Sequence, residues 1–92
     1  MKFNETEKKI LMANDFVIEP DLFDEEVATL NNGFSKVSII KEDNDNFTYF
    51  YDLFTAEDLE NDLDRANNNK TITDITFNEL RNDLDLNQEV LF

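Results

Sequence analysis

The chain has 92 residues and carries 22 acidic side chains against 8 basic ones, so its net charge is −14 at pH 7. This length supports one hydrophobic core, and we expect a single acidic domain over residues 1–92. Cysteine and histidine are absent, which excludes disulfides, thiolate metal sites and the commonest nucleophiles and general bases. With 40% hydrophobic residues and nine Phe, the chain is also too apolar for a disordered acidic tail.

The first predicted helix covers about residues 5–14. It begins at a capping box, in which Asn4 and Glu7 each accept a hydrogen bond from the other's backbone amide. Residues 15–19 are then predicted to be extended, since Pro20 disfavours helical geometry in the residue before it.

A second helix is predicted over about residues 21–32. Asp21 serves as its cap, acidic residues occupy its first turns, and Asn32-Gly33 supplies a left-handed stop. Phe23, Val27 and Leu30 are its expected buried face.

Residues 34–41 and 47–54 are predicted to form a β-hairpin. Both segments are rich in β-branched and aromatic residues, they alternate in polarity, and a polar turn of residues 42–46 separates them. A third strand is predicted over about residues 70–75.

Two further helices are predicted from capping signatures at Thr55 and Thr76. The helix after Thr55 carries an apolar stripe of four residues, Ala56, Leu59, Leu63 and Ala66. The helix after Thr76 buries Phe77, Leu80 and Leu84. The apolar tail Val90-Leu91-Phe92 is expected to dock on the body of the protein.

Taken together, these elements predict an α+β fold in which a small antiparallel sheet packs with three to four short helices. Enzymatic activity is not expected, because nucleophilic triads and glycine-rich phosphate loops lack their residues. The alternating carboxylates from Asp43 do not form an EF-hand, since Phe47 and Phe54 occupy ligand positions five and twelve. We expect no cofactor and no metal.

The distribution of charge predicts the binding residues. Fifteen of the 22 acidic residues lie between positions 15 and 64. The expected partner-binding carboxylates fall into a first set in the hairpin turn and on the helix after Thr55, and a second set near residue 25. The first set is Asp43, Asp45, Glu57, Glu60 and Asp64; the second is Asp24, Glu25 and Glu26.

Such a charge has two interpretations. Acidic surfaces confer solubility, but a net charge of about 2–8 suffices for a small domain, and this chain exceeds that range. Duplex DNA carries about one charge per 1.7 Å of axis, so 14 charges correspond to about seven base pairs, or about 24 Å. A globule of this size has room for that length, which favours imitation of a short duplex.

In length, acidity and low Gly and Pro content, the chain resembles the small phage-encoded anti-CRISPR proteins and other DNA-mimic inhibitors of bacterial defence. The resemblance implies a non-enzymatic inhibitor that binds a cationic nucleic-acid-binding protein, such as a Cas nuclease, and blocks its DNA-binding surface. It implies no direct contact with nucleic acid. No residue roles follow from it, because that class shares properties rather than a sequence motif.

Two alternatives remain open at this point. An immunity-type inhibitor of a nuclease toxin has the same composition, and a structural or regulatory module would form a homodimer through the apolar hairpin and tail. The chain lacks an uninterrupted apolar segment of signal-peptide or membrane-span length, so a cytoplasmic location is expected, within the host cell if the protein is phage-encoded.

Overall fold

The computed structural model describes residues 1–23 and 25–86. Three helices and five strands follow one another in this part of the chain, and every pair of neighbouring strands is antiparallel. The strand order in the sheet is the order in the sequence, β1-β2-β3-β4-β5. The predicted α+β class is confirmed. The elements are α1 (Glu5–Ala13), β1 (Val17–Pro20), β2 (Glu26–Asn31), β3 (Ser35–Lys41), β4 (Phe47–Leu53), α2 (Ala56–Glu60), β5 (Asn68–Ile75) and α3 (Phe77–Asp83).

The predicted hairpin is confirmed as β3 and β4, and it forms the centre of the sheet. Ile39 lies opposite Ala28 on one side and Tyr49 on the other, and Tyr49 in turn lies opposite Ile72. Because side chains alternate between the faces of a strand, these four residues mark one face, which is buried. We call it the core face, and the other the outer face.

The first and last helices supply the residues that cover the core face. Phe3 and Leu11, from the N-terminal segment and α1, are buried in the same cluster as Leu80 of α3. All three predicted capping boxes form, at Asn4, Thr55 and Thr76, so local sequence sets where each helix starts. No helix in the described part of the chain is long and apolar enough to cross a membrane.

The predicted second helix over residues 21–32 is wrong, because this segment forms a hairpin loop and strand β2. Five residue pairs join β2 to β3, so the segment is extended. Its side chains therefore point alternately to the two faces of the sheet, and this alternation rather than helical spacing decides which of them are buried. Ala28 is fully buried and Leu30 packs against the core, whereas Val27 is on the outer face. Phe23 is 84% exposed. Pairing with β1 and β3, the strands that precede and follow it in the sequence, has overridden the helical pattern.

The predicted helix after Thr55 begins where expected but is much shorter than its apolar stripe. It ends at Glu60, and Asp62 then adopts a left-handed φ of 53°, which turns the chain away from the helical path. Leu59 and Leu63 are consequently exposed, and Ala66 is buried by a separate contact described below. The predicted strand over residues 70–75 and the helix after Thr76 are confirmed, with the strand starting at Asn68. The tail Val90-Leu91-Phe92 lies outside the described residues.

The loops and turns that connect the strands lie at two opposite ends of the sheet. The β1–β2 loop (residues 21–25) and the β3–β4 turn (residues 42–46) lie at the end we call the hairpin end. The β2–β3 turn and α2 lie at the other, the α2 end. β4 runs between the ends through seven residues, which corresponds to about 23 Å at about 3.3 Å per residue.

A buried ion pair joins α1 to the sheet. Lys41 Nζ lies 3.0 Å from Glu7 Oε1, and the two side chains are only 8% and 10% exposed. The same carboxylate oxygen accepts a hydrogen bond from the Asn4 backbone amide at 2.8 Å, completing the capping box of α1. Glu7 therefore couples the start of α1 to the end of β3.

Removing one member of this pair should destabilise the fold strongly. Lys41→Met leaves the Glu7 carboxylate buried without its cation, so we expect a loss of about 3–5 kcal/mol in the free energy of unfolding. Adding Glu7→Gln should restore part of it. Lys8→Met, which breaks a more exposed pair with Glu26, should cost less than about 1 kcal/mol. Urea unfolding measures all three; similar values for Lys41→Met and Lys8→Met would contradict this account.

A second buried carboxylate anchors the loop between α2 and β5. Asp52 Oδ1 accepts hydrogen bonds from Arg65 Nε at 2.7 Å and from the Ala66 backbone amide at 2.9 Å. Asp52 is on the outer face of β4 and is almost fully buried. This contact, rather than a helical stripe, is what buries Ala66.

Asp52 should therefore stabilise the fold, even though it adds to the large negative net charge of the protein. Asp52→Ala removes two charge-assisted hydrogen bonds and should lower the free energy of unfolding by at least about 1.5–3 kcal/mol. Asp64→Ala, the same change at an exposed position, should stay within about 0.5 kcal/mol. Chemical denaturation of both variants tests this, and equal values would show that Asp52 is not an anchor.

Candidate functional site

The structure divides the predicted binding residues between the two ends of the sheet. Asp43 and Asp45 lie in the β3–β4 turn at the hairpin end, whereas Glu57, Glu60 and Asp64 lie at the α2 end. The first predicted set is thus not one surface, since the length of β4 separates its members. Only Glu57 and Glu60 share a helix, because Asp64 lies beyond the end of α2.

The hairpin end instead unites acidic residues from both predicted sets. One surface pocket lies between the β1–β2 loop and the β3–β4 turn and includes Asp21, Glu25 and Asp43 in its lining. A second pocket, between the same turn and β5, shares Glu42 and Asp43 with the first and adds Asp74. We call the carboxylates around these pockets and in the turn between them the hairpin-end acids: Asp21, Glu25, Glu42, Asp43, Asp45 and Asp74.

Strand geometry sets the width of this group. Five strands at a spacing of about 4.8 Å place the outermost strands, β1 and β5, about 19 Å apart. Glu42 and Asp43, which line both pockets, lie between the two flanking groups. The hairpin-end acids therefore form a row across the sheet rather than a single point of charge.

The members of the second predicted set differ in their availability. Glu25 is half exposed and pairs with the N-terminal ammonium group of Met1. Glu26 is largely buried; its carboxylate accepts a hydrogen bond from the Phe3 amide at 3.0 Å and lies 3.3 Å from Lys8 Nζ. Glu26 is therefore a structural residue, so its predicted place on a binding surface is not supported. Asp24 lies outside the described residues.

The two predicted acids of the β3–β4 turn are both exposed. Asp45 has a left-handed φ of 66° and lies 3.9 Å from Lys41 Nζ, but its side chain is still 72% exposed. Asp43 makes no hydrogen bond or ion pair with any other described residue. Both carboxylates are thus presented to a partner by a turn that the flanking strands hold in place.

Asp74 is a member of the row that sequence analysis missed. It sits at an irregularity in β5, where residues 73 and 74 face Thr48 alone, and it has a left-handed φ of 58°. Asn44 Nδ2 and Asn46 Nδ2 donate to its Oδ1 at 3.0 and 2.9 Å. These bonds favour the charged form, so they lower the pKa of Asp74, the bond from Asn46 more strongly.

The acids of the α2 end form a second, different group. Glu57, Glu60, Asp62 and Asp64 are exposed, and their side chains contact no cation within the described residues. Their neighbour Asp58 is buried and accepts hydrogen bonds from the Thr55 amide and from Asn67 Nδ2, so it holds the loop. This end also carries the guanidinium of Arg65 beside Asp52, which offsets part of its charge.

Catalytic features are not evident in the described part of the chain. Burial raises the pKa of Tyr49, and the charge of Asp83, which accepts a hydrogen bond from the phenol, raises the pKa further, so this phenol is a poor general base. Among residues 1–23 and 25–86, no three acidic side chains converge in a way that would hold a metal ion. What the arrangement offers is a surplus of negative charge along one end of the molecule, which the Met1 ammonium group and Lys41 offset in part.

Comparisons with protein-family models, with curated proteins and with solved structures gave no match.

The two amides that contact Asp74 should control its titration. Asn44→Ala combined with Asn46→Ala removes the bonds that favour the carboxylate, so the pKa of Asp74 should rise toward its ordinary value. Because the folded-state pKa is lowered, this carboxylate stabilises the fold above the ordinary carboxyl pKa, and the contribution disappears as pH falls through the folded value. Carboxyl ¹³C NMR titration measures the shift. Asn78→Ala, an exposed amide on α3, is the control, and an unchanged pKa in the double variant would contradict the assignment.

Proposed function

We propose that this protein is a non-enzymatic inhibitor whose acidic surface occupies the nucleic-acid-binding surface of a cationic enzyme, with CRISPR-Cas nucleases as the first candidates. The row of hairpin-end acids is the observation that carries the proposal. It brings six carboxylates from the β1–β2 loop, the β3–β4 turn and strand β5, which are three separate parts of the sequence, onto one end of the sheet.

The size of the row supports competition with a duplex. A duplex segment of about 19 Å carries about eleven phosphate charges, so six carboxylates over that width reproduce about half of its charge density. Arg and Lys side chains that contact phosphates and bases would meet carboxylates at this lower density. The charge also steers the encounter, so association is fast and sensitive to salt.

The hydrogen bonds within the row support binding at low entropic cost. Asp21 Oδ1 accepts from the Phe23 and Glu25 amides at 2.8 and 3.0 Å, which ties these three residues of the β1–β2 loop together. Asn44 and Asn46 tie the β3–β4 turn to Asp74 on β5. Connections that are already ordered need not be ordered on binding, so more of the interaction energy appears as affinity.

The immunity-type alternative uses the same surface against a different enzyme. A nuclease toxin and a Cas nuclease both present cations to DNA, and the row of carboxylates favours neither. The two alternatives therefore differ only in the target enzyme, and inhibition assays on a panel of purified enzymes distinguish them.

Inhibition by matched charge variants tests the proposal. The assay measures DNA cleavage by guide-loaded Cas9-type and Cas12-type nucleases and by basic nuclease toxins, with increasing amounts of the protein. The hairpin-end variant carries Glu42→Gln, Asp43→Asn and Asp45→Asn; Asn tolerates the left-handed backbone at position 45. The α2-end variant carries Glu57→Gln, Glu60→Gln and Asp64→Asn, the same change of three charges.

We expect the wild-type protein to inhibit at least one of these enzymes. The hairpin-end variant should lose more than about tenfold in affinity, because it removes three carboxylates that contact the target directly. The α2-end variant should lose less than about threefold, because its three carboxylates lie far from the contact. Equal losses would contradict the assignment to the hairpin end. Absence of inhibition across the panel would overturn the proposed function itself.

A further inference from the structure

Two large apolar side chains project from the tip of the β1–β2 loop. Leu22 is 96% exposed and Phe23 is 84% exposed, whereas Met12, another exposed apolar residue, is 61% exposed. Single exposed apolar residues are common on protein surfaces, but adjacent ones with almost no protein contact are not. Their exposure therefore calls for an explanation beyond solubility or packing.

The loop that carries the pair is held by hydrogen bonds rather than left open. The Asp21 amide donates to the Glu25 carbonyl at 2.6 Å, and Asp21 Oδ1 accepts from the Phe23 and Glu25 amides. Asp21 thus ties the backbone of Phe23 and Glu25 to its own side chain. Such an arrangement presents the two side chains to a partner without the entropic cost of ordering the loop.

The surroundings of the pair identify the chemistry of the partner. Asp21 and Glu25 flank it within the loop, and Glu42 and Asp43 line the adjacent pocket. A second copy of this chain would bring a like-charged row against these carboxylates, and an anionic membrane would repel them. A protein with an apolar pocket bordered by Lys and Arg matches both the apolar pair and its acidic surroundings.

We propose that Leu22 and Phe23 form an apolar anchor that inserts into such a pocket on the target, beside the cationic surface that the hairpin-end acids contact. The identity of the target rests on the proposed function; the anchor itself does not. The two parts of the surface act on different rates. Charges at long range accelerate association, whereas buried apolar side chains slow dissociation.

Binding kinetics separate the anchor from the charge. The test variant is Leu22→Ser with Phe23→Ser, and the control is Met12→Ser on α1, away from this loop. Surface plasmon resonance against the inhibited nuclease should show dissociation faster by about 30-fold or more for the double variant, since two apolar side chains lose their burial. Its association rate and salt dependence should match the wild type. Unchanged dissociation, or an equal change in Met12→Ser, would overturn the anchor.

A probe that needs no target keeps the anchor testable if no nuclease is inhibited. One chromatography resin carries a benzyl group next to an amine, and a reference resin carries a quaternary amine alone. The wild type and Met12→Ser should elute from the benzyl-amine resin at higher salt than the double variant, and all three should elute together from the reference resin. Co-elution on both resins would overturn the anchor.

Sedimentation velocity distinguishes a second copy from a different partner. We expect the wild type to remain monomeric as its concentration rises from about 10 to about 500 μM, because the acidic rows repel one another. Self-association that the double variant abolishes would assign the pair to a second copy and overturn the proposal. Thermal unfolding of the double variant should match the wild type, because neither side chain is packed.

Discussion

Carboxylates that accept hydrogen bonds from backbone amides hold the connections of this fold in place. Each of the three described helices begins with one, and others hold residues of the β1–β2 loop, the N-terminal segment and the loop before β5. The chain has a single glycine, and all five described non-glycine residues with a left-handed φ are aspartates. The carboxylates that accept from backbone amides are Glu7, Asp21, Glu26, Asp52, Asp58 and Glu79. The left-handed aspartates are Asp15, Asp45, Asp62, Asp74 and Asp85.

This structural use of acids changes how the net charge is understood. A surplus of 14 charges on 92 residues suggests a surface given over to binding, yet a large share of the carboxylates supports turns and helix starts. Both uses coincide at the hairpin end, where Asp21 and Asp74 organise the backbone while their charge stays within the row. Fewer carboxylates are thus available to contact the target than the composition suggests, and these carboxylates are held in fixed positions.

The elements with a clear local signature were predictable, and those whose local pattern points to another structure were not. The capping boxes at Asn4, Thr55 and Thr76 involve residues three apart, and the β3–β4 hairpin has a clear alternation of polarity, so both were found. β2 was mistaken for a helix because its acidic first residues imitate a helix start. Its pairing with β1 and β3 shows that the segment is extended. α2 ends early because Asp62 adopts a left-handed backbone conformation. The apolar stripe continues beyond this residue, so the sequence pattern does not indicate the end of the helix.

The candidate site was predictable in part for the same reason. The run of acids in the β3–β4 turn is visible in the sequence, but its grouping with Glu25 and Asp74 depends on the order of the strands. Leu22 and Phe23 were missed because Phe23 was assigned to the buried face of a helix that does not form. An acidic loop with two adjacent large apolar residues is a signal that sequence inspection alone could have raised.

Competition between this protein and duplex DNA for one nuclease tests the central claim most directly. Fluorescence anisotropy of a labelled duplex that carries the target's recognition sequence, bound to the nuclease, would be measured with increasing protein at several salt concentrations. The account predicts full displacement, an apparent affinity that falls in proportion to duplex concentration, and a logarithm of affinity that falls linearly with the logarithm of salt concentration. A ternary complex of nuclease, duplex and protein, or an affinity that does not respond to salt, would contradict it.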